Sequence, residues 1–273
     1  MIAMYSNFFD SHTHSDNSPD GAHSITFMCE NAVNKGLTGM AVTDHCEVNA
    51  YRQDKYDIRI RQSLFEANIA KAAFKHRLLI TSGVELGQPM QDVETAEKII
   101  SAFNFDFILG SVHNIANEQD FYYIDYSSGE VDINALLDRY FKEMYAMVLW
   151  GGFDVLAHIT YPLRYLAAAN VNADLGRHSD IIDEILKAAI NSGKGIEVNT
   201  SGLRQAINDT MPNIQIIKRY RELGGEIITI GSDAHCTEHI GCGVQDTMSL
   251  LSGLGFKYFA FYKNRKPRML NII

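Results

Sequence analysis

Short apolar runs alternate with longer amphipathic ones along most of this chain. The short runs fall at 7–11 (NFFDS), 39–43 (GMAVT), 78–84 (LLITSGV), 106–112 (DFILGSV), 153–157 (FDVLA), 194–199 (KGIEVN) and 226–231 (EIITIG). Their length and their β-branched and aromatic content predict strands. Between them, residues 24–36, 57–75, 92–102, 132–149, 178–192, 213–223 and 244–253 repeat apolar positions at three- and four-residue spacing, as in Leu136, Leu137, Tyr140, Phe141 and Met144, which predicts helices. Lys35-Gly36, Ser192-Gly193 and Gly224-Gly225 close three of them. Such alternation predicts an α/β fold, parallel strands with helices outside. Residues 159–177, with Pro162, Arg164 and several alanines, read as an irregular connection of the kind that shapes a pocket. The last apolar run, 256–262, reads as an eighth strand or a closing edge.

Composition narrows the picture. With 273 residues, 46% hydrophobic and 21% charged, the chain suits one domain spanning 1–273 with a sizeable core. A formal charge of -9 argues against nucleic acid and anionic membranes as partners and favours a small molecule. Cys29, Cys46, Cys236 and Cys242 show no paired spacing, so they are expected to be reduced thiols. The start MIAMYSNFFDSH has neither a basic head nor an apolar stretch of signal length, and the cytoplasm is the expected location. Nothing in the sequence speaks to oligomeric state.

The polar residues that interrupt this pattern gather where strands end. His12 and His14 follow the first strand, His45 the second, Glu85 the third, His113 the fourth, His158 the fifth, and Asp233 with His235 the seventh. Catalytic groups of parallel α/β folds collect at those carboxyl ends. Alternate residues of a strand share a face, so His12 and His14 can serve one ion, as can Asp233 and His235. A carboxylate such as Glu85, buried at a strand end, is costly to desolvate unless a metal or an arginine meets it. With Asp20 there are nine candidate ligands, more than two ions need, and a cluster of three divalent ions of zinc, manganese or iron type fits them. His76, His178 and His239 fall in helical patterns or beyond the last such loop and read as solvent-facing or packing residues. Asp44, beside His45, reads as an orienting group. Arg164 and Arg204 also follow strand ends, and guanidinium forks there imply a phosphate ester as ligand.

These residues lie in DSHTHSDNSPDG (10–21), VTDHCE (42–47), SGVELG (82–87), GSVHN (110–114), LAHITYPLR (156–164), EVNTSGLR (197–204) and IGSDAH (230–235). Together the seven segments resemble the PHP (polymerase and histidinol phosphatase) superfamily, most closely its histidinol-phosphate phosphatases; Asp20, where many members carry histidine, and TSGLR are similar to that branch. The resemblance implies a distorted (β/α)7 barrel with a trinuclear metal site at the C-terminal ends of the strands. It implies one ion on His12, His14, Glu85 and Asp233, a second on Glu85, His113 and His158, and a third on Asp20, His45 and His235. The implied reaction is hydrolysis of L-histidinol phosphate, with Arg164 and Arg204 on the phosphate, and Asp20 and His45 on the leaving-group side. A phosphoesterase of the same superfamily acting on nucleotides, oligonucleotides or phosphotyrosine is the alternative, and a noncatalytic metal-binding or polymerase-associated module is a second. Glu47, Glu118 and Asp209 are loop acids available to read the amine and imidazole.

Overall fold

A computed structural model describes residues 7–272. In chain order its elements are β1 (Phe9–Thr13), α1 (Ile25–Asn34), β2 (Gly39–Val42), β3 (His45–Glu47), α2 (Tyr56–Ala73), β4 (Leu79–Gly87), α3 (Val93–Ala102), β5 (Phe107–Ser111), α4 (Ile133–Trp150), β6 (Val155–Leu156), α5 (Leu163–Ala168), α6 (Ser179–Asn191), β7 (Gly195–Asn199), α7 (Ile214–Glu222), β8 (Ile228–Gly231), α8 (Val244–Gly253), β9 (Tyr258–Lys263) and β10 (Lys266–Asn271). Strands β1, β2, β4, β5, β6, β7 and β8 pair in that order, all in parallel. The ring is completed where the His14 amide donates to the Ala234 carbonyl at 2.8 Å and the Asp233 amide to the His12 carbonyl at 2.8 Å. This is the expected seven-stranded α/β barrel, nearly closed.

The seven strands are covered by helices, so both of their faces are apolar and the runs read as continuous rather than alternating. Helix α4 shows how the outer layer forms. Asp132 caps its start by accepting the Ala135 amide, Gly151 ends it at φ 73°, and Leu136, Leu137, Tyr140, Phe141, Met144, Met147 and Val148 face the barrel. The buried Tyr140 hydroxyl donates to the Ile159 carbonyl at 3.0 Å, which anchors the chain just beyond β6.

Three features depart from expectation. The second strand breaks after Val42 and resumes as β3, which runs on along β4 so that His45 lies opposite Glu85; the Glu85 amide spans the break, donating to the carbonyls of Thr43 and Asp44. The 159–177 connection is not irregular throughout: Pro162 caps α5, and Leu175–His178 form a further helical turn. A proline suits a helix start because its missing N–H has no partner there anyway. Finally, the run at 256–262 adds no strand to the barrel. It becomes β9, pairs antiparallel with β10, and covers the N-terminal end of the barrel, with Phe261 stacked on Phe9 and Tyr262 on Phe107, both at 4.9 Å between ring centroids.

Candidate metal centre

Parallel pairing carries the strand-end residues to one end of the barrel, and their side chains converge. On the first strand His12 and His14 turn the same way, with ring centroids 4.9 Å apart. His12 Nε2 lies 3.3 Å and His14 Nε2 3.5 Å from Glu85 Oε2, and the same nitrogens lie 3.8 Å and 3.3 Å from Asp233 Oδ1. Around the other oxygen of Glu85, Oε1, stand His158 Nε2 at 2.7 Å and His113 Nε2 at 3.0 Å, with 3.4 Å between the two nitrogens. At the outer rim His45 Nε2 and His235 Nε2 are 3.3 Å apart, and Asp20 reaches them at 3.7 Å and 3.2 Å. All nine expected donors are therefore brought together.

Bonds of roughly 2.1 Å to a tetrahedral ion put neighbouring donors about 3.4 Å apart. The inner and outer sets match that spacing. The set on Glu85 Oε1 sits at hydrogen-bonding range and would open by about half an ångström around an ion. His12 Nε2, His14 Nε2 and Glu85 Oε2 are buried and make no hydrogen bond among the described residues, an arrangement that costs stability unless a cation meets them. The donor atoms of His12, His14 and Glu85 lie close together within the first group, while two equally close sets, His14 with His45 and His235, and His45 with Glu85 and His113, cut across the groups. The cause is His45, whose Nδ1 lies 2.9 Å from Glu85 Oε2 while its Nε2 faces His235.

The rings are held from behind. Ser18 Oγ donates to Asp44 Oδ1 at 2.8 Å and lies 3.2 Å from His14 Nδ1, so Asp44 orients His14 through Ser18. It does not bond the adjacent His45 ring; its carboxylate also takes the Ser15 and Ser63 hydroxyls. Glu47 Oε1 lies 3.0 Å from His113 Nδ1 and 3.4 Å from His45 Nδ1. Glu197 Oε1 lies 2.7 Å from His12 Nδ1. Sequence reasoning gave Glu197 no role, although its signal was present: like Glu85, it is an acid inside an apolar strand. Two donors also sit on backbone seldom used by residues other than glycine, His158 at φ 21° and Asp233 at φ 54°. Such strain gathers at functional sites.

Charge follows geometry. Burial alone would push Glu85 up, but the imidazoles of His113, His12 and His45 hold its carboxyl well below the usual range. Burial pushes His113 down, yet Glu47 and Glu85 lift it to about 10. His14, desolvated and facing His235 and His45, is held well below the ordinary imidazole value. Carboxylates and imidazoles thus compensate one another across the pocket.

A cavity opens outward from His45 and His113, lined also by Asp20, Glu47, Tyr161 and Arg164. The Arg164 guanidinium lies over the Tyr161 and Tyr165 rings, 4.4 Å and 4.8 Å from their centroids, and 3.6 Å from Asp233 Oδ2. Arg204 lies outside that lining. It donates to the Ser232 carbonyl at 2.8 Å, directly before Asp233, and its second terminal nitrogen is buried without a partner. Of the loop acids, Glu118 pairs with Arg139 and Asp209 accepts the Thr210 amide; Glu47 alone of the three lines the cavity, joined by the unforeseen Asp120. His76 and His239 are exposed, and His178 packs inside, bonded to Asp138 at 3.0 Å. The four cysteines are free, and no helix among the described residues is long and apolar enough to cross a membrane.

Comparison with known proteins agrees with this fold. A probable histidinol-phosphatase of Clostridium acetobutylicum is 32% identical over 260 residues, covering 93% of this chain and 97% of that protein. Another of Thermotoga maritima is 25% identical, covering 92% and 94%. Among solved structures, the histidinol phosphate phosphatase of Lactococcus lactis, crystallised with zinc, L-histidinol and phosphate, superposes with a TM-score of 0.82 over 96% of this chain and 99% of that one, at 21% identity. The family model described as PHP domain matches residues 10–201, which hold seven of the nine converging donors. On the match to that model and the near end-to-end likeness to its clostridial relative, the chain belongs to the PHP domain family.

Proposed function

We propose that the chain is a metal-dependent phosphomonoesterase that hydrolyses L-histidinol phosphate to L-histidinol and phosphate. The observation that carries the reading is the near full-length likeness to a probable histidinol-phosphatase, joined to a pocket whose donors suit several divalent ions. Three ions are proposed, on His12/His14/Glu85/Asp233, on Glu85/His113/His158 and on Asp20/His45/His235, with zinc, manganese or iron as candidates. When bound, such ions supply Lewis acidity, which makes water a usable nucleophile near neutral pH and offsets charge on the phosphoryl group.

The chain's own residues do the rest. Arg164, its plane fixed by two tyrosine rings, faces the cavity and grips phosphate oxygens with its fork. Arg204, set against the Ser232 carbonyl, adds a second cation beside Asp233. Asp20 and His45 stand at the mouth, on the side from which the alkoxide departs. Asp120, Tyr122 and Tyr123 line the outer wall, an acidic and aromatic surface suited to a cationic amine and an imidazole rather than to a second phosphate. The acidic balance of the chain gives nucleic acid no footing, and a single unit of 1–273 in the cytoplasm is the proposed setting.

Phosphate release from a panel of histidinol phosphate, nucleoside monophosphates and phosphotyrosine tests this, run before chelation, after it, and after adding back each metal. Histidinol phosphate should lead by more than about 100-fold in kcat/KM, a difference of about 2.7 kcal/mol. Activity should vanish on chelation. A nucleotide preferred over histidinol phosphate would move the chain to another substrate, and full turnover after chelation would remove the metals from the reaction.

A further inference from the structure

Glu197 sits at the middle of β7, fully buried, between two strands that supply donors to the centre. Its Oε1 lies 2.7 Å from His12 Nδ1. Its Oε2 accepts the backbone amide of His158 at 2.9 Å and the Asn199 side-chain amide at 3.2 Å. The titratable group it meets is the His12 imidazole, and among the described residues neither Lys nor Arg offsets the cost of burying this carboxylate. An imidazole whose Nδ1–H is held by a carboxylate presents a free Nε2 pair at a fixed angle, and Nε2 of His12 is the atom turned toward Glu85 and Asp233. At its other oxygen Glu197 holds the chain where His158 takes the strained φ of 21°.

A second observation agrees. A Cβ placed on Gly231 would stand 2.3 Å from Glu197 Oε1 and 2.4 Å from His12 Cβ. Glycine at that point of β8 leaves room for the Glu197–His12 pair.

We propose that Glu197 is a positioning residue of the metal centre, one carboxylate that fixes the ring of His12 and the backbone of His158 and so ties two donor sets together. This rests on the ligand reading above. Glutamine in its place keeps the shape, but it cannot present two acceptors and sets an N–H against an N–H.

The test is zinc retained per chain by the metal-loaded protein against graded chelator, for wild type, Glu197→Gln, Val198→Ala and His12→Asn. Glu197→Gln should release zinc at chelator concentrations about 10- to 100-fold lower than wild type. Val198→Ala, which loosens the same buried strand away from the donors, should retain zinc as wild type does. His12→Asn that keeps every ion would overturn the ligand reading; His12→Asn that loses one while Glu197→Gln matches wild type would overturn the positioning role alone. Should Glu197→Gln fail to fold, [15N]histidine spectra of the zinc-loaded wild type decide, with His12 identified by its absence in His12→Asn. An Nδ1 proton that is shifted downfield and slow to exchange, as a bond to a buried carboxylate makes it, supports the proposal, and an Nδ1 proton that exchanges freely overturns it.

Discussion

At the N-terminal end of the barrel Asp106 and Asp154 are about as buried as Asp233 is at the other, with 8%, 6% and 7% of their surfaces exposed. The lower pair is met by fixed partners. Asp106 receives the Lys71 ammonium at 2.8 Å and the amides of Ser82 and Asn264, and Asp154 receives the Ile108 amide and the Arg265 guanidinium at 2.6 Å. At the upper end Arg164 stands 3.6 Å from Asp233 Oδ2, but the other facing groups are imidazoles and carboxylates, and among the described residues several of their nitrogens and oxygens have no hydrogen-bonding partner. The same cost of desolvation is thus met in two ways: below by cations of the chain itself, above, Arg164 apart, by a geometry that suits cations from outside. Burial of an acid marks neither end as functional. What separates them is whether its neighbours complete it.

Removing the acid on which the upper end converges should give the largest effect. Glu85 faces His12, His14, His45, His113 and His158. Glu85→Gln should lose bound metal and at least about 1,000-fold in kcat, near 4 kcal/mol of barrier, while wild type and variant, both stripped of metal, melt within a few degrees of each other. Metal analysis beside single-turnover kinetics checks this. Wild-type metal content with wild-type turnover would end the contrast between the two ends.

The contrast also explains what could be read from the sequence. Barrel strands are short and apolar on both faces, so β4, β5, β7 and β8 stand out as runs. The ligand-type residues stand out because polar groups follow those runs at once, as His113 follows Val112 and Asp233 follows Ser232. Strand β3 is hidden, since its three residues include His45 and Glu47 and hold their course only by pairing with β4. Helix α5 was hidden by Pro162, which reads as a breaker and acts as a start. Strand β10 is largely exposed, carries KPRMLN and follows the turn Asn264-Arg265, so it offers neither an apolar run nor the glycine that usually marks a tight hairpin. Glu197 shows its signal but not its role: an acid inside an apolar strand declares a partner, and which partner is a fact of tertiary packing.

Next in size is the loss of a lower-end cation. Arg265 Nε bonds Asp154 Oδ2 at 2.6 Å and its terminal nitrogen the Gly152 carbonyl at 3.2 Å, from a turn where Asn264 and Arg265 adopt φ of 52° and 60°. Arg265→Met keeps the stem and removes the charge. It should cost about 2 kcal/mol, less than the roughly 3–5 of a fully enclosed pair because the guanidinium is partly open to solvent. A fall in Tm of about 4–8 °C with kcat/KM within twofold of wild type is expected. A selective loss of activity without a loss of stability would mean that the two ends are coupled and the contrast is wrong.

The smallest effect sharpens the comparison through pH. Burial pushes the Asp106 carboxyl up, but the Lys71 ammonium and the amides of Asn264 and Ser82 outweigh it and leave it below the ordinary value. A carboxyl depressed on folding stabilises the native state above its unfolded pKa of about 3.9, and that contribution fades as the pH falls through the folded pKa. Asp106→Asn should therefore cost on the order of 1 kcal/mol near pH 7, and the gap from wild type should narrow below about pH 4. Urea unfolding from pH 6 to pH 2 measures it, with both proteins stripped of metal so that ligand protonation at the upper end is common to both. A gap that stays constant across that range would mean that Asp106 contributes shape and not charge, and the lower end would then owe its stability to packing of the β9–β10 hairpin.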